Sequence, residues 1–250
     1  SCSPRSPGAE AARPPRRPTR LWPPPARAAT TPAMDGSRED GPEGGRARRG
    51  YHHGNLREAL VEAALGLIAE RGPEGFTMAE AAREAGVSAA APYRHFRSRE
   101  DLIAELARRG FELFADLLET AWDQGRPTPL SAFENVGRAY LAFARKAPGS
   151  YVAMFESGVP VSEDPALRAA SDRAMGVMRR AAEALSARLP PERRPPPQMM
   201  SYHVWALSHG VVELFARQSS GQRASISPEE LLETGTMIYL RGLGLIPEDE

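Results

Sequence analysis

Residues 77–102 read TMAEAAREAGVSAAAPYRHFRSREDL, and this stretch decides the fold. Thr77 is placed to cap a short helix, and Glu80 three residues on completes a capping box. Met78, Ala81, Ala82 and Ala85 recur at helical spacing and make a packing face of small residues. Gly86 follows the last turn, where the chain needs a left-handed residue and glycine carries no steric penalty. Val87 is an apolar plug between two helices. Ser88 is a cap for a second helix over 88–95, whose first turn, Ala89, Ala90 and Ala91, has almost no side-chain bulk. Pro92 falls about one turn into that helix, where its missing N–H costs little. Tyr93, Arg94 and His95 supply hydrogen-bonding groups, Phe96 returns to the core, and Ser98 caps the helix that follows. Helix, tight turn and second helix make a helix-turn-helix, a shape that fits a DNA major groove. The plain alternative is a helical hairpin inside an ordinary all-α protein.

Working outward, the spacing predicts a helix over 56–71, capped by Asn55 and ended by Gly72-Pro73, with Leu60, Ala63, Ala64, Leu67 and Ile68 on one stripe. Beyond Ser98 a long helix runs through Leu102, Leu106, Phe111, Phe114 and Leu118 and stops before Gly125-Arg126-Pro127. Further helices are expected over 130–146, 150–156, 165–189, 197–217 and 228–243, separated by proline- and glycine-bearing breaks. No alternating strand pattern of useful length is legible, so the fold class is all-α. The expected organisation is a Pro/Arg-rich tail and basic arm over 1–50, a helix-turn-helix domain over 51–98, and a helical bundle over 99–250.

Charge and composition narrow the partners. The whole chain is neutral, with 32 basic and 32 acidic residues. Residues 1–50 nonetheless carry ten arginines against five acids, so the remainder is net acidic. The tail is too poor in apolar residues to build a core and is expected to be disordered. Met34 resembles a natural start, which makes 1–33 an upstream extension in this reading. Arg48 and Arg49 stand just ahead of the first helix, where an arm can lie along phosphates or in a minor groove. Cys2 is the single cysteine, so a disulfide framework or thiolate metal cage within one chain is excluded. No apolar run reaches the ~20 residues a membrane span needs, and no signal peptide is legible, so a cytoplasmic protein without membrane contact is expected.

With these residues in view, the chain resembles the TetR/AcrR family of transcriptional regulators. The resemblance rests on Gly72, Thr77, Ala81-Ala82, Ala85-Gly86-Val87-Ser88, Tyr93-Arg94-His95-Phe96 and Ser98-Arg99-Glu100-Asp101-Leu102. A narrower likeness rests on Tyr51-His52-His53-Gly54-Asn55-Leu56, on Pro148, Tyr151, Met154 and Phe155, and on Trp205 with His209-Gly210. It points to the subgroup whose C-terminal domain is named for its Trp, His and Gly. The resemblance implies a homodimer on a near-palindromic double-stranded DNA operator, most simply as a repressor. By motif position it implies that Thr77, Ser88, Tyr93 and Arg99 contact phosphate, while Ala89, Ala90, Ala91, Arg94 and His95 face base edges or backbone. Arg99 stands where the family usually has lysine, which keeps the charge.

The resemblance also implies that the last two helices form a dimer interface and that the middle helices enclose a small apolar or aromatic effector. Candidate lining residues are Phe114, Trp122, Phe133, Tyr140, Phe143, Tyr151, Met154, Phe155, Met175, Met178, Trp205 and His209. Apolar residues at helical spacing are by default plain core. Trp205 and His209, four apart on one helix face, read first as a structural pair beside Gly210.

An enzyme is not indicated. The histidines at 52, 53, 95, 203 and 209 fall in no HExxH pair, and no nucleophile elbow or phosphate-cradling glycine loop is present. No cofactor, catalytic or metal motif is legible. The remaining alternative to a regulator is a helical ligand-binding or scaffold protein without DNA binding.

Overall fold

Thr77 and Glu80 lock the start of the decisive segment as their spacing predicts. The Thr77 hydroxyl accepts from the Glu80 amide at 3.2 Å, and the Glu80 carboxylate accepts from the Thr77 amide at 2.9 Å. Such a cap stabilises a helix by about 1 kcal/mol. It opens α2, Met78–Glu84, whose Met78, Ala81 and Ala82 are buried. The computed structural model describes residues 56–216 and 226–246. Asn55, the histidines at 52 and 53, and the arm residues Arg48 and Arg49 lie outside the described residues.

Before α2 comes α1, Leu56–Arg71, which buries Leu60, Ala63, Ala64, Leu67 and Ile68 as one stripe, with Val61 beside them. Gly72 and Gly86 both take positive φ, 75° and 73°, at the ends of α1 and α2. These are backbone conformations that only glycine adopts without strain.

The segment 88–95 departs from expectation. It is not a capped α-helix but a turn followed by a single 3₁₀ turn, Pro92–Arg94, whose N-cap Ala91 offers no side-chain bond. The cause is Pro92. With no N–H, it cannot donate to the Ser88 carbonyl, which accepts the Ala91 amide three residues on at 2.9 Å instead. The three-residue pattern then continues through Arg94 to Ala91 and His95 to Pro92. Pro92 and Phe96 are buried and pin the segment at two points.

The Ser98 hydroxyl accepts from the Asp101 amide at 3.2 Å and starts α3, Arg99–Trp122. This helix is the axis of the molecule, with α1, α4, α5 and α6 all packed against it. It buries Leu102, Leu106, Phe111, Phe114 and Leu118, the residues whose spacing announced it. Asp123, at φ 41°, turns the chain out of it. Next come α4, Pro129–Lys146, α5, Pro148–Phe155, and α6, Pro165–Ser186. The last two are α7, Pro197–Ala216, and α8, Pro228–Gly242. Proline in the first turn of α4, α5, α6 and α8 presets φ where the amide has no helical partner. Thr128, Asp164 and Ser227 cap three of these helices. Helix α6 ends at Ser186, a turn earlier than its pattern suggested, because Arg188 and Leu189 turn back on Leu185 and Ser186 with three-residue bonds.

One continuous core runs from Leu60, Phe76 and Phe96 through Leu106 and Phe114 to Leu185, Met200 and Leu240. A small second core, Leu141, Val211 and Leu232, ties α4, α7 and α8 together. Among the described residues there is no strand, and no helix is long and apolar enough to cross a membrane.

Candidate nucleic-acid interface and aromatic centre

The short arc after α2 presents side chains outward because its two anchors point inward. Ser88, Ala89 and Ala90 are exposed, Ala91 is half-buried, and Tyr93, Arg94 and His95 stand in solvent, Tyr93 at 60% exposure. Thr77 is exposed as well, but its hydroxyl proton is aimed at the Glu80 carboxylate, 3.0 Å away. Arg97 extends the same surface and was not singled out by the motif. Its amide donates to Asp101 at 2.9 Å, and among the described residues its guanidinium, like that of Arg94, has no ion-pair partner. The expected group is therefore brought together on one face, with two unengaged cations at its end.

Arg99 is placed differently from the phosphate contact expected of it. Its guanidinium donates to the Pro73 carbonyl, pairs with Glu74 at 3.3 Å and Glu100 at 3.4 Å, and lies over the Phe76 ring at 5.2 Å. It thereby clamps the loop between α1 and α2 onto the start of α3, with 19% of its side chain exposed.

A second clamp, invisible to motif reading, fixes α1 to α3. Glu105 of α3 is 9% exposed and accepts from Arg57 at 2.6 Å, from Arg109 at 2.7 Å and from Arg108 at 2.9 Å. Arg109 continues to Glu58 at 2.6 Å, and Arg108 to Glu112 at 2.5 Å. Burial alone would raise the Glu105 carboxyl, but hydrogen bonds from Arg108, Arg57 and Arg109 outweigh it and hold its pKa at about 2. A charged, hydrogen-bonded lock thus ties α1 to α3.

Deeper in the bundle, Phe114, Tyr140, Phe143, Tyr151, Phe155, Trp205 and His209 form one aromatic centre, joined ring to ring. Phe114 meets Phe143 at 4.8 Å and Tyr140 at 5.1 Å, edge on for the latter. Tyr151 meets Phe155 at 5.0 Å, and Phe155 meets His209 edge on at 5.2 Å. Polar bonds thread this centre. Trp205 Nε1 donates to the Tyr140 hydroxyl at 3.1 Å. The hydroxyls of Tyr140 and Tyr151 lie 3.1 and 2.8 Å from His209 Nδ1. Tyr151 also reaches Glu213 at 3.4 Å. Burial pushes both phenols well above the usual tyrosine range, so both keep their protons and act as donors.

Trp205 and His209 are therefore not an isolated pair but the α7 side of a network that reaches α4 and α5. Met154 packs on Gly110 of α3, and Trp122 lies against the Gly125 turn. Phe133, Met175 and Met178 belong to the same continuous core but make no ring contact with the centre among the described residues.

Helix α5 joins the two regions. In its middle it carries Tyr151 and at its end Phe155. At its start Gly149 sits so close to α1 that a Cβ there would lie 2.3 Å from the Leu65 carbonyl oxygen. Two clefts are also present: one of about 440 Å³ beside Arg99 and the α5–α6 loop, and one of about 620 Å³ between α1 and α2. None of the expected effector residues lines either. Met199, Tyr202 and Leu214 of α7 and Ile238 of α8 are exposed, Ile238 at 67%, as is Ile226 just ahead of α8.

Two family models match, and both describe TetR proteins. Residues 60–106 match the bacterial regulatory proteins of the tetR family, and residues 133–237 match the tetracyclin repressor-like C-terminal domain. Together they span more than half of the chain. Among curated relatives, the HTH-type transcriptional regulator BetI of Agrobacterium fabrum strain C58 is 48% identical over 52 residues, 21% of this chain and 25% of that protein. The chain spans between about a quarter and two fifths of the length of the curated relatives it matches.

Among solved structures, a protein of unknown function from Rhodococcus sp. RHA1 superposes with a TM-score of 0.64 at 26% identity, covering 78% of this chain and 98% of that one. AibR in complex with isovaleryl coenzyme A and operator DNA gives 0.57 at 17% identity, covering 73% and 97%, a likeness of fold alone. The arc between Thr77 and Phe96 and the Trp205–His209–Gly210 helix fall inside the two matched stretches, and the chain belongs to the TetR family of bacterial regulatory proteins, with a C-terminal domain of the Trp-His-Gly type.

Proposed function

We propose that the chain is a ligand-responsive DNA-binding regulator that binds a near-palindromic operator as a homodimer in the cytoplasm and represses transcription there. The observation that carries this reading is the exposed arc of Ser88, Ala89, Ala90, Tyr93, Arg94, His95 and Arg97, pinned from below by Pro92 and Phe96. Its alanine surface lets the backbone approach a duplex closely, and its cations face outward without partners. The helix-turn-helix part is 51–98 and the body 99–250, with Arg48 and Arg49 as an arm on phosphate. Arg99 acts by holding the loop before α2 in place, and phosphate reaches Thr77 and Ser88 beside it.

The apolar stripe of Met199, Tyr202, Leu214 and Ile238 supports pairing of α7 and α8 with their copies. Two recognition arcs would then stand about one helical turn apart, ~34–36 Å, on the operator. With three alanines at the contact, specificity rests on Arg94, on thymine methyls and on DNA shape. The effector is a small apolar or aromatic molecule received at the aromatic centre. It moves the equilibrium only by its differential affinity for two conformers of the body. Helix α5 carries the change, because Tyr151 and Phe155 touch the centre while Gly149 touches α1.

The test is gel retardation of promoter fragments beside the chain's own gene over a range of salt. Salt-sensitive retardation of one fragment is expected, since neutralised phosphates release counterions. Absence of retardation on every fragment favours the helical ligand-binding or scaffold reading. Within a complex, Arg94→Ala is expected to weaken specific binding by ~1–3 kcal/mol per half-site, and Arg97→Ala to reduce the salt slope by about one unit. An unchanged operator affinity in Arg94→Ala would place that side chain away from DNA.

A further inference from the structure

Phe96 closes the exposed arc, and its ring is covered from another helix. Its amide and that of His95 both donate to the Pro92 carbonyl, at 3.0 and 2.9 Å, and the ring is buried at 3% exposure. The Arg57 guanidinium of α1 lies over that ring, 5.2 Å from its centroid, inside the ~6 Å over which a cation is drawn to an aromatic face. The same guanidinium donates through Nη1 to Glu105 Oε1 at 2.6 Å. One planar group thus touches both the last residue of the arc and the carboxylate at the centre of the α1–α3 lock. Arg99 and Phe76 repeat the stacking at the other end of the helix-turn-helix, also at 5.2 Å.

Two features set Arg57 apart from the other arginines of the lock. It stands in the first turn of α1, where the positive end of the helix dipole disfavours a cation, and its partners on Phe96 and α3 offset that cost. It is also the arginine that Glu105 can best spare. Without it the carboxylate keeps Arg108 on both oxygens, at 2.9 and 3.0 Å, and Arg109 on Oε1 at 2.7 Å. Phe96 has no such reserve: among the described residues, Arg57 is the one cation over its ring.

We propose that Arg57 is a positioning residue of the arc: its guanidinium ties Phe96 to Glu105 and holds the arc at a fixed seat on α3. The consequence for operator binding rests on the reading of the arc as the DNA-contacting face, whereas the seat itself is a property of the free chain. A guanidinium is required, because its flat face and its N–H edge work at once, while an ammonium is a point charge that serves one partner. Arg57 contacts no phosphate in this role. Its loss loosens the arc more than the bundle.

The test is amide hydrogen exchange of the full chain, resolved by residue, for Arg57→Ala and Arg57→Lys. In Arg57→Ala the amides of His95 and Phe96 are expected to exchange about 3–30-fold faster relative to those of Val177 and Ala181 in α6, the loss of one cation–ring contact read as local opening. In Arg57→Lys, α6 is expected to match the unaltered protein while the arc still exchanges several-fold faster. An arc that keeps its rate in Arg57→Ala, or that moves by the same factor as α6, would overturn the proposal, and so would full restoration by lysine. Gel retardation separates the seat from the DNA reading. On a promoter fragment that the unaltered protein retards, Arg57→Ala is expected to weaken binding by at least the factor seen in exchange, with an unchanged salt slope. A slope reduced by about one unit would make Arg57 a phosphate contact and contradict the positioning role. Should the unaltered protein retard no fragment, the DNA reading falls and the exchange rates still decide the seat.

Discussion

Glu105→Gln is expected to lower the folding stability by about 2–3 kcal/mol and to loosen the seat of α1 on α3. The substitution keeps the shape and removes the one carboxylate that Arg57, Arg108 and Arg109 share. Breaking a fully buried pair costs about 3–5 kcal/mol, and the lower figure reflects three guanidiniums that keep contact with water. The pH dependence has a definite sign. The folded pKa of about 2 lies below the unfolded value near 4.3. The stabilisation is therefore complete above about pH 4.3 and is lost as pH falls through about 2. Urea melts of the two proteins are expected to differ by the full amount at pH 6 and to converge as pH falls from about 4.5 towards 2. A difference that stays constant over that window would show that the carboxylate charge is not what holds the lock.

Gly149→Ala is expected to destabilise by about 1–3 kcal/mol and to weaken the link between the aromatic centre and α1. The added methyl would meet the Leu65 carbonyl oxygen at 2.3 Å and its carbon at 3.0 Å. Those are backbone atoms of another helix, so no rotamer can relieve the contact, and α5 has to move off α1. Gly66→Ala, one residue beyond Leu65, is the matched control. Nothing lies within 4 Å of its new Cβ, and an alanine inside α1 is expected to raise stability by about 0.5–1 kcal/mol. Opposite signs for the two glycines in thermal melts would confirm that close approach, not helix propensity, decides position 149. A neutral or stabilising Gly149→Ala would mean that α1 and α5 are free to separate.

The helices were legible wherever local chemistry and periodicity agreed. Thr77 with Glu80, the alternating small residues of α2, Gly72 and Gly86, and the prolines opening α6 and α8 each carry their meaning within four residues. The segment 88–95 is the exception, because Pro92 both lacks a bond near a helix start and leaves the Ser88 carbonyl to a three-residue turn. Arg99 was legible as a cation in the right place, yet its partners Pro73, Glu74 and Phe76 lie in the preceding loop and turn it inward. Glu105 and Gly149 gave no signal at all. Their roles depend on Arg57 and Leu65, residues far away in the chain that only the packed bundle brings near. The aromatic residues were visible as a set, but their division into a bonded centre and plain core required the positions of the Tyr140, Tyr151 and Trp205 polar atoms.

The measurement that bears most directly on the account is a hydroxyl-radical footprint of the full chain on the promoter fragment it retards. Two protected patches on one face of the duplex are predicted, about one helical turn apart and related by a two-fold axis, with protection lost when Arg94 is replaced by alanine. A single patch, or protection that survives that replacement unchanged, would contradict a paired grip through the arc between Ser88 and Arg97.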